Sequence, residues 1–137
     1  MLTRFYFMAL CLTFPSFGQE RLQSGEFKGF TKSATEHIIS RIDEPFRVTS
    51  VHRMVVFKDR NDGLKEVLLE IRGPGNSEHI RATKSNGDGS FRILHVPEGT
   101  YAFKATKNGF QSVVGTIVIS KKADKPHRIK IGMAAGV

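Results

Sequence analysis

Five histidines, His37, His52, His79, His95 and His127, are the residues of this chain best suited to proton transfer or metal ligation, and they are scattered singly. No two stand at i, i+2 or i, i+4, the spacings that aim two imidazoles at one metal from a strand or a helix. A histidine alone on a strand is an ordinary surface residue, so no metal ligand is nominated. The turn Asn86-Gly87-Asp88-Gly89 carries the Asp-Gly pair that a calcium loop shows at its fifth and sixth positions. Counting outward puts Lys84 at the first position and His95 at the twelfth, where carboxylates are required. The turn therefore reads as a glycine-rich hairpin connection. No nucleophile elbow, phosphate loop, dinucleotide fingerprint or His-Glu-x-x-His helix is present. The residues thus point to no catalytic group and no cofactor, and the protein is expected not to be an enzyme.

Charge is the next chemistry available. The 137 residues include 21 basic and 13 acidic side chains, for a formal net charge of +8. In a secreted protein such a balance favours anionic surfaces, such as lipid head groups, acidic wall polymers or an acidic protein face, over nucleic acid. Lys and Arg are nevertheless spread along the chain and mostly alternate outward, as a solvated surface does. The densest group is Lys121, Lys122, Lys125 and Arg128 near the C-terminus. With Phe27 and Phe30 of the Phe27-Lys28-Gly29-Phe30 segment, these form the candidate partner-binding set.

The elements that must position these groups begin after a leader. Met1 to Arg4 is a short positive start and Phe5 to Phe14 an apolar run. Pro15-Ser16-Phe17-Gly18 then places small residues three and one positions before Gln19, a secretory signal pattern with cleavage expected after Gly18. The apolar run is about half of the ~20 residues a membrane-spanning helix needs, so no span is expected in the mature chain. Cys11 follows Met8-Ala9-Leu10, but Leu10 is too large for the small residue a lipid-attachment site requires. Cleavage would remove the single cysteine, leaving a chain that forms no disulfide and must be stabilised by packing.

Residues 19–45 are expected to form an N-terminal arm. Gln19 to Lys32 has few apolar residues, which suits a flexible arm or an edge element. Ser33-Ala34-Thr35-Glu36 has capping-box spacing before His37-Ile38-Ile39, compatible with a short helix, while the isoleucines equally suit an extra strand. Pro45 ends either element.

From Phe46 the pattern is β. Strands are expected over 48–58, 66–72, 79–84, 90–95, 100–107, 112–120 and 127–133, separated by Asp59 to Gly63, Gly73-Pro74-Gly75-Asn76, Ser85 to Gly89 and Pro97-Glu98-Gly99. Seven short strands with no helical pattern between them favour an antiparallel β-sandwich over residues 46–137. Val67, Leu69, Ile71, Phe91, Ile93, Tyr101, Phe103, Ile117, Ile129 and Ile131 fall at the inward phase of the alternation.

Three segments carry a family resemblance: Ser85-Asn86-Gly87-Asp88-Gly89-Ser90-Phe91, Val96-Pro97-Glu98-Gly99-Thr100-Tyr101, and Gly109-Phe110. Together they resemble the T-D-x-x-G-x-F turn, the L-x-P-G-x-Y corner and the Gly-aromatic pair of the carboxypeptidase regulatory-like domain, a transthyretin-like sandwich. Upstream, Asp62 to Val67 with Leu69, Ile71 and Gly73 looks like that family's G-x-P-L-x-G-V segment. The likeness spans roughly residues 48–133. It departs where Ser85-Asn86 replaces Thr-Asp, and where the first-strand glycine is missing near His52-Arg53-Met54.

The resemblance implies a seven-stranded Ig-like or transthyretin-like fold and a non-enzymatic secreted or periplasmic module that binds an envelope or secreted protein. Edge strands, the Pro74 to Glu78 loop, the Asn86 to Asp88 turn and the basic C-terminal hairpin are the surfaces available for that. A carbohydrate-binding module, or a ligand that is a cell-surface polysaccharide, is the alternative, because the fold is grouped with starch-binding-like sandwiches. Sugar platforms rely on flat exposed aromatics, Trp above all, and this chain has no Trp. Only Phe27, Phe30, Phe46 and Phe57 are left for that purpose, and docking of the arm on its own domain competes for the first two. Some transthyretin-like proteins are hydrolases with a C-terminal Tyr-Arg-Gly-Ser, but this chain ends Met133-Ala134-Ala135-Gly136-Val137.

Overall fold

The computed structural model describes residues 28–34, 38–122 and 125–136. The expected leader, Cys11, Phe27, His37 and Thr35-Glu36 of the expected capping box lie outside the described residues. Within them the fold is all-β and contains no helix, so none is long and apolar enough to cross a membrane. Nine strands form: β1 (Ile39–Arg41), β2 (Phe46–Val48), β3 (Val51–Phe57), β4 (Leu68–Arg72), β5 (Ile80–Lys84), β6 (Ser90–Ile93), β7 (Gly99–Thr106), β8 (Ser112–Ile119) and β9 (Ile129–Met133).

They make two packed sheets. The larger has the order β1-β8-β7-β4-β5, with β2 also pairing β8, and the smaller has the order β6-β3-β9. The seven expected strands are present, but the seven-stranded antiparallel description is corrected in two respects. The segment expected as one strand from Val48 to Lys58 divides at the Thr49-Ser50 bend, so β2 and β3 serve different sheets. The sheets are also mixed, because β1 and β2 run parallel to β8 and β9 runs parallel to β3. Residue alternation reports which face a side chain takes, not which neighbour its backbone finds, so strand direction is not legible in it.

The core lies between the sheets. All ten residues read as inward are buried, and Val51, Val55, Val113, Ile119 and Met133 join them. Phe46, half-buried, brings its ring within 6.0 Å of Phe103, and Phe57 meets Phe110 edge-on at 5.6 Å. Opposite Phe103 in the register stands Gly115, where an added Cβ would lie 2.6 Å from the Phe103 ring. Only glycine leaves room for that ring at this point of the sheet.

The turns behave as their residue types require. Asp88 Oδ1 accepts from the Ser90 N–H at 3.0 Å and from the Ser90 hydroxyl at 2.6 Å, an Asx-type closure of the turn. The hairpin expected here is corrected, because the turn carries the chain from β5 of the large sheet to β6 of the small one, and these two strands do not pair. Ser85, in the place of the family's Thr, supplies a hydroxyl that donates to the Leu64 carbonyl at 2.6 Å and accepts from the Val67 N–H at 2.9 Å. Tyr101 donates its hydroxyl to the Pro97 carbonyl at 2.6 Å and so closes the Pro-Glu-Gly corner. Gly89 has φ of 85°, and an added Cβ there would press on the Val55 carbonyl, with Gly63 Cα at 2.7 Å and Leu64 N at 2.8 Å. The Ser85 to Gly89 turn, β3 and the Asp59 to Leu64 loop therefore meet backbone to backbone.

Strand β6 stops at Ile93, short of the expected His95, whose φ of 57° is left-handed and ends the extended run. The missing first-strand glycine also has a structural counterpart. Arg53 has φ of 149°, a conformation that glycine adopts freely and an L side chain resists.

Candidate functional site

The candidate residues fall in two regions. Phe30 is buried on the outward face of the large sheet, where the Arg72 guanidinium lies 5.4 Å from its ring centre. The preceding backbone is held there as well, since Arg72 donates to the Lys28 carbonyl at 2.9 Å. Next along the chain, Thr31 donates its N–H to Glu70 Oε1 at 2.9 Å and its hydroxyl to Oε2 at 3.2 Å. Ser33 then donates to the Asn108 side-chain oxygen at 3.1 Å, beyond the end of β7. Residues 28–34 thus form a strap across the large sheet. Phe30 is consumed by the domain's own packing, and the self-docking expected of the arm holds for the part described.

The strap explains a burial that alternation does not. Glu70 points outward as its phase requires, yet it is buried, as is Lys104, its register partner on β7. An acidic and a basic residue placed side by side under a cover, with the carboxylate accepting two hydrogen bonds, is how a sheet accommodates charge away from water.

The second region is the end of the sandwich where β8 leaves the large sheet and β9 enters the small one. Lys121, Lys122, Lys125 and Arg128 are all exposed. Their backbone is pinned at several points. Ser120 N–H donates to the Val48 carbonyl at 2.9 Å, and Lys121 N–H to Glu98 Oε1 at 2.7 Å. His127 N–H donates to the Arg47 carbonyl at 2.7 Å, and Arg47 N–H returns a bond to His127 Nδ1 at 3.1 Å. These bonds bring an exposed fifth cation, Arg47 of β2, to the same end. Sequence reading missed Arg47 because it stands 74 positions before Lys121, and only the parallel pairing of β2 with β8 joins them.

Neither region resembles an active site. Among the described residues no three His, Cys, Asp or Glu side chains gather as metal ligands. His52 is engaged with Ser50 Oγ at 2.9 Å and His127 with the Arg47 backbone. Of the aromatics left for a sugar platform, Phe30 is buried and Phe46 and Phe57 are packed against other rings. The Pro74 to Glu78 loop and the Asn86 to Asp88 turn are exposed.

Over residues 46–130 the chain matches the family described as "BOS complex subunit NOMO1-like, second beta sandwich domain". That is a sandwich of the transthyretin-like, carboxypeptidase regulatory-like type, so the general type of the resemblance holds while the matching family is a different one. No curated protein matches the chain.

Proposed function

Because the chain belongs to the NOMO1-like family of second β-sandwich domains, we propose that it is a non-enzymatic interaction module that recognises a protein partner. The observation that carries this reading is the family match itself. Its description names a subunit of a complex, and it overlies this chain's own two sheets. A sandwich of this type contributes surfaces held still by a core, and function resides in what those surfaces contact.

In this reading the exposed cations Arg47, Lys121, Lys122, Lys125 and Arg128 form one contact region, and the bonds through Glu98, Val48 and His127 keep it in place. The leader read at 1–18 assigns the module to the periplasm or the exterior, where its partner is an envelope or secreted protein.

The test is a pull-down with the chain from residue 19 onward as bait, from an envelope and periplasm extract of its host, at low and high salt. A discrete protein retained at high salt, and lost when Lys121 and Lys122 are both changed to Glu, is the expected result. Retention of only glycan or lipid that washes off with salt would overturn the reading, because screened surface charge fades over about 8 Å at physiological ionic strength.

A further inference from the structure

The small sheet presents a second surface, on its outward face. In the register, His52 lies opposite Arg92 of β6, and Met54 lies between Ser90 of β6 and Lys130 of β9. All but Ser90 are exposed, and no outward position on the three strands is acidic. Arg92 and Lys130 stand on the strands either side of β3, about two strand spacings or roughly 10 Å apart, close to a Debye length and with no acidic residue on the three strands to offset them.

A backbone feature adds a third cation to the face. Arg53 occupies the inward phase between Val51 and Val55, opposite Phe91 and Ile129, yet it is exposed while all four of these neighbours are buried. Its φ of 149° belongs to the mirror-image β region, where the side chain and the Cα hydrogen exchange directions. The strained backbone thereby releases from the core a guanidinium that alternation would bury. Strain of this kind persists where the surroundings enforce it, and it clusters at functional positions.

At the centre of the cations sits Met54, 37% exposed, and Leu94, 62% exposed, lies just past the end of β6. Beyond Met54 the face closes, because Val56 is buried and bridges to Gly63. An apolar centre among Arg and Lys is the composition of a protein interface, in which Arg and Met are enriched.

We propose that this face, built on Arg53, Met54, Arg92 and Lys130, docks an acidic segment of a partner protein that carries an apolar residue for Met54. The proposal rests on the interaction-module reading and names a face that adjoins the Lys121 and Lys122 end, since Arg128 directly precedes Ile129, the register partner of Arg53. Complementary charge offsets the repulsion among the cations, and contact with the guanidinium gives a use to the strain at Arg53.

The test is fluorescence anisotropy of a short labelled peptide of alternating Glu and Leu, titrated with the whole protein. Changing Arg53 and Arg92 together to Glu is expected to weaken binding about tenfold or more. Changing Lys32 of the strap and Lys84 of β5, both exposed over the large sheet, to Glu alters net charge equally and is expected to leave most of the affinity in place. Equal losses in the two pairs would reduce the effect to bulk charge and overturn the proposal. Arg53→Gly guards against misfolding as the explanation. It is expected to raise the melting temperature by about 2–6 °C while still weakening the peptide, and wild-type affinity in that variant would remove Arg53 from the site.

Loss of binding only on changing Lys121 and Lys122 would overturn the face while leaving the module reading intact. Binding to phosphatidylserine vesicles, lost with Arg53 and Arg92 while the peptide is ignored, would make the ligand a membrane and overturn the choice of partner.

Discussion

At the scale of single residues, the motif that suggested the fold is a set of hydrogen-bonding devices. Tyr101 is buried, with its hydroxyl on the Pro97 carbonyl, and that burial pushes its phenol above the ordinary value. Tyr101→Phe is expected to cost about 1 kcal/mol, read as a shift of the urea midpoint with unchanged slope. Asp88 behaves in the opposite sense, because the hydroxyl and the N–H of Ser90 hold its carboxyl below the usual range. A carboxyl lowered in the folded state adds stability above its unfolded value near 3.8 and loses it as pH falls through the lower folded value. Asp88→Asn is therefore expected to melt lower than the wild type at pH 6, with the two converging in strong acid. A gap independent of pH would show that the carboxylate charge is immaterial to the turn. The residue types at these positions were readable directly, since Asn-Gly, Asp-Gly and Pro-Glu-Gly are local signals. Arg53 was readable only as a missing glycine, and its exposure required the dihedral angle itself.

At the scale of elements, the strap over the large sheet is the part whose sequence signal was weakest. Thr31 and Phe30 sit in a polar stretch without periodicity, and their order comes from Glu70 and Arg72, about forty positions away. Glu70→Ala removes both bonds from Thr31 and leaves Lys104 without its neighbouring carboxylate. The expected result is a loss of about 1–3 kcal/mol in stability, with faster trypsin cleavage after Lys28 or Lys32 than in the wild type. Unchanged cleavage would mean that Phe30, Arg72 and Ser33 retain the strap without Glu70. The short strands β1 and β2 illustrate the same limit. An extra strand is one of the two readings open for the isoleucine run that holds β1, β2 is not separated from the strand expected from Val48, and both owe their state to the long strand β8 beside them.

At the scale of the whole molecule, the two sheets are joined where Gly63, Gly89 and Val55 meet, and a substitution there tests the assembly more than the turn. Gly89→Ala puts a Cβ against the Val55 carbonyl and takes a left-handed position from glycine, so a loss of about 2–4 kcal/mol, or failure to fold, is expected in thermal unfolding. Gly87→Ala, two positions earlier in open space, is the control, with a far smaller effect expected. The sequence by itself determined the all-β sandwich class, the rough places of most strands and the ten-residue inward set, because alternation and turn chemistry are local and act wherever those residues stand. It also determined that charge, not a catalytic constellation, is the chemistry most available to the chain. Tertiary structure decided the strand directions, the strap, the partnering of Arg47 with the Lys121 end, and the basic face around Arg53. Each of these depends on which distant segments meet, and backbone pairing between strands is chemically alike in every register until packing selects one.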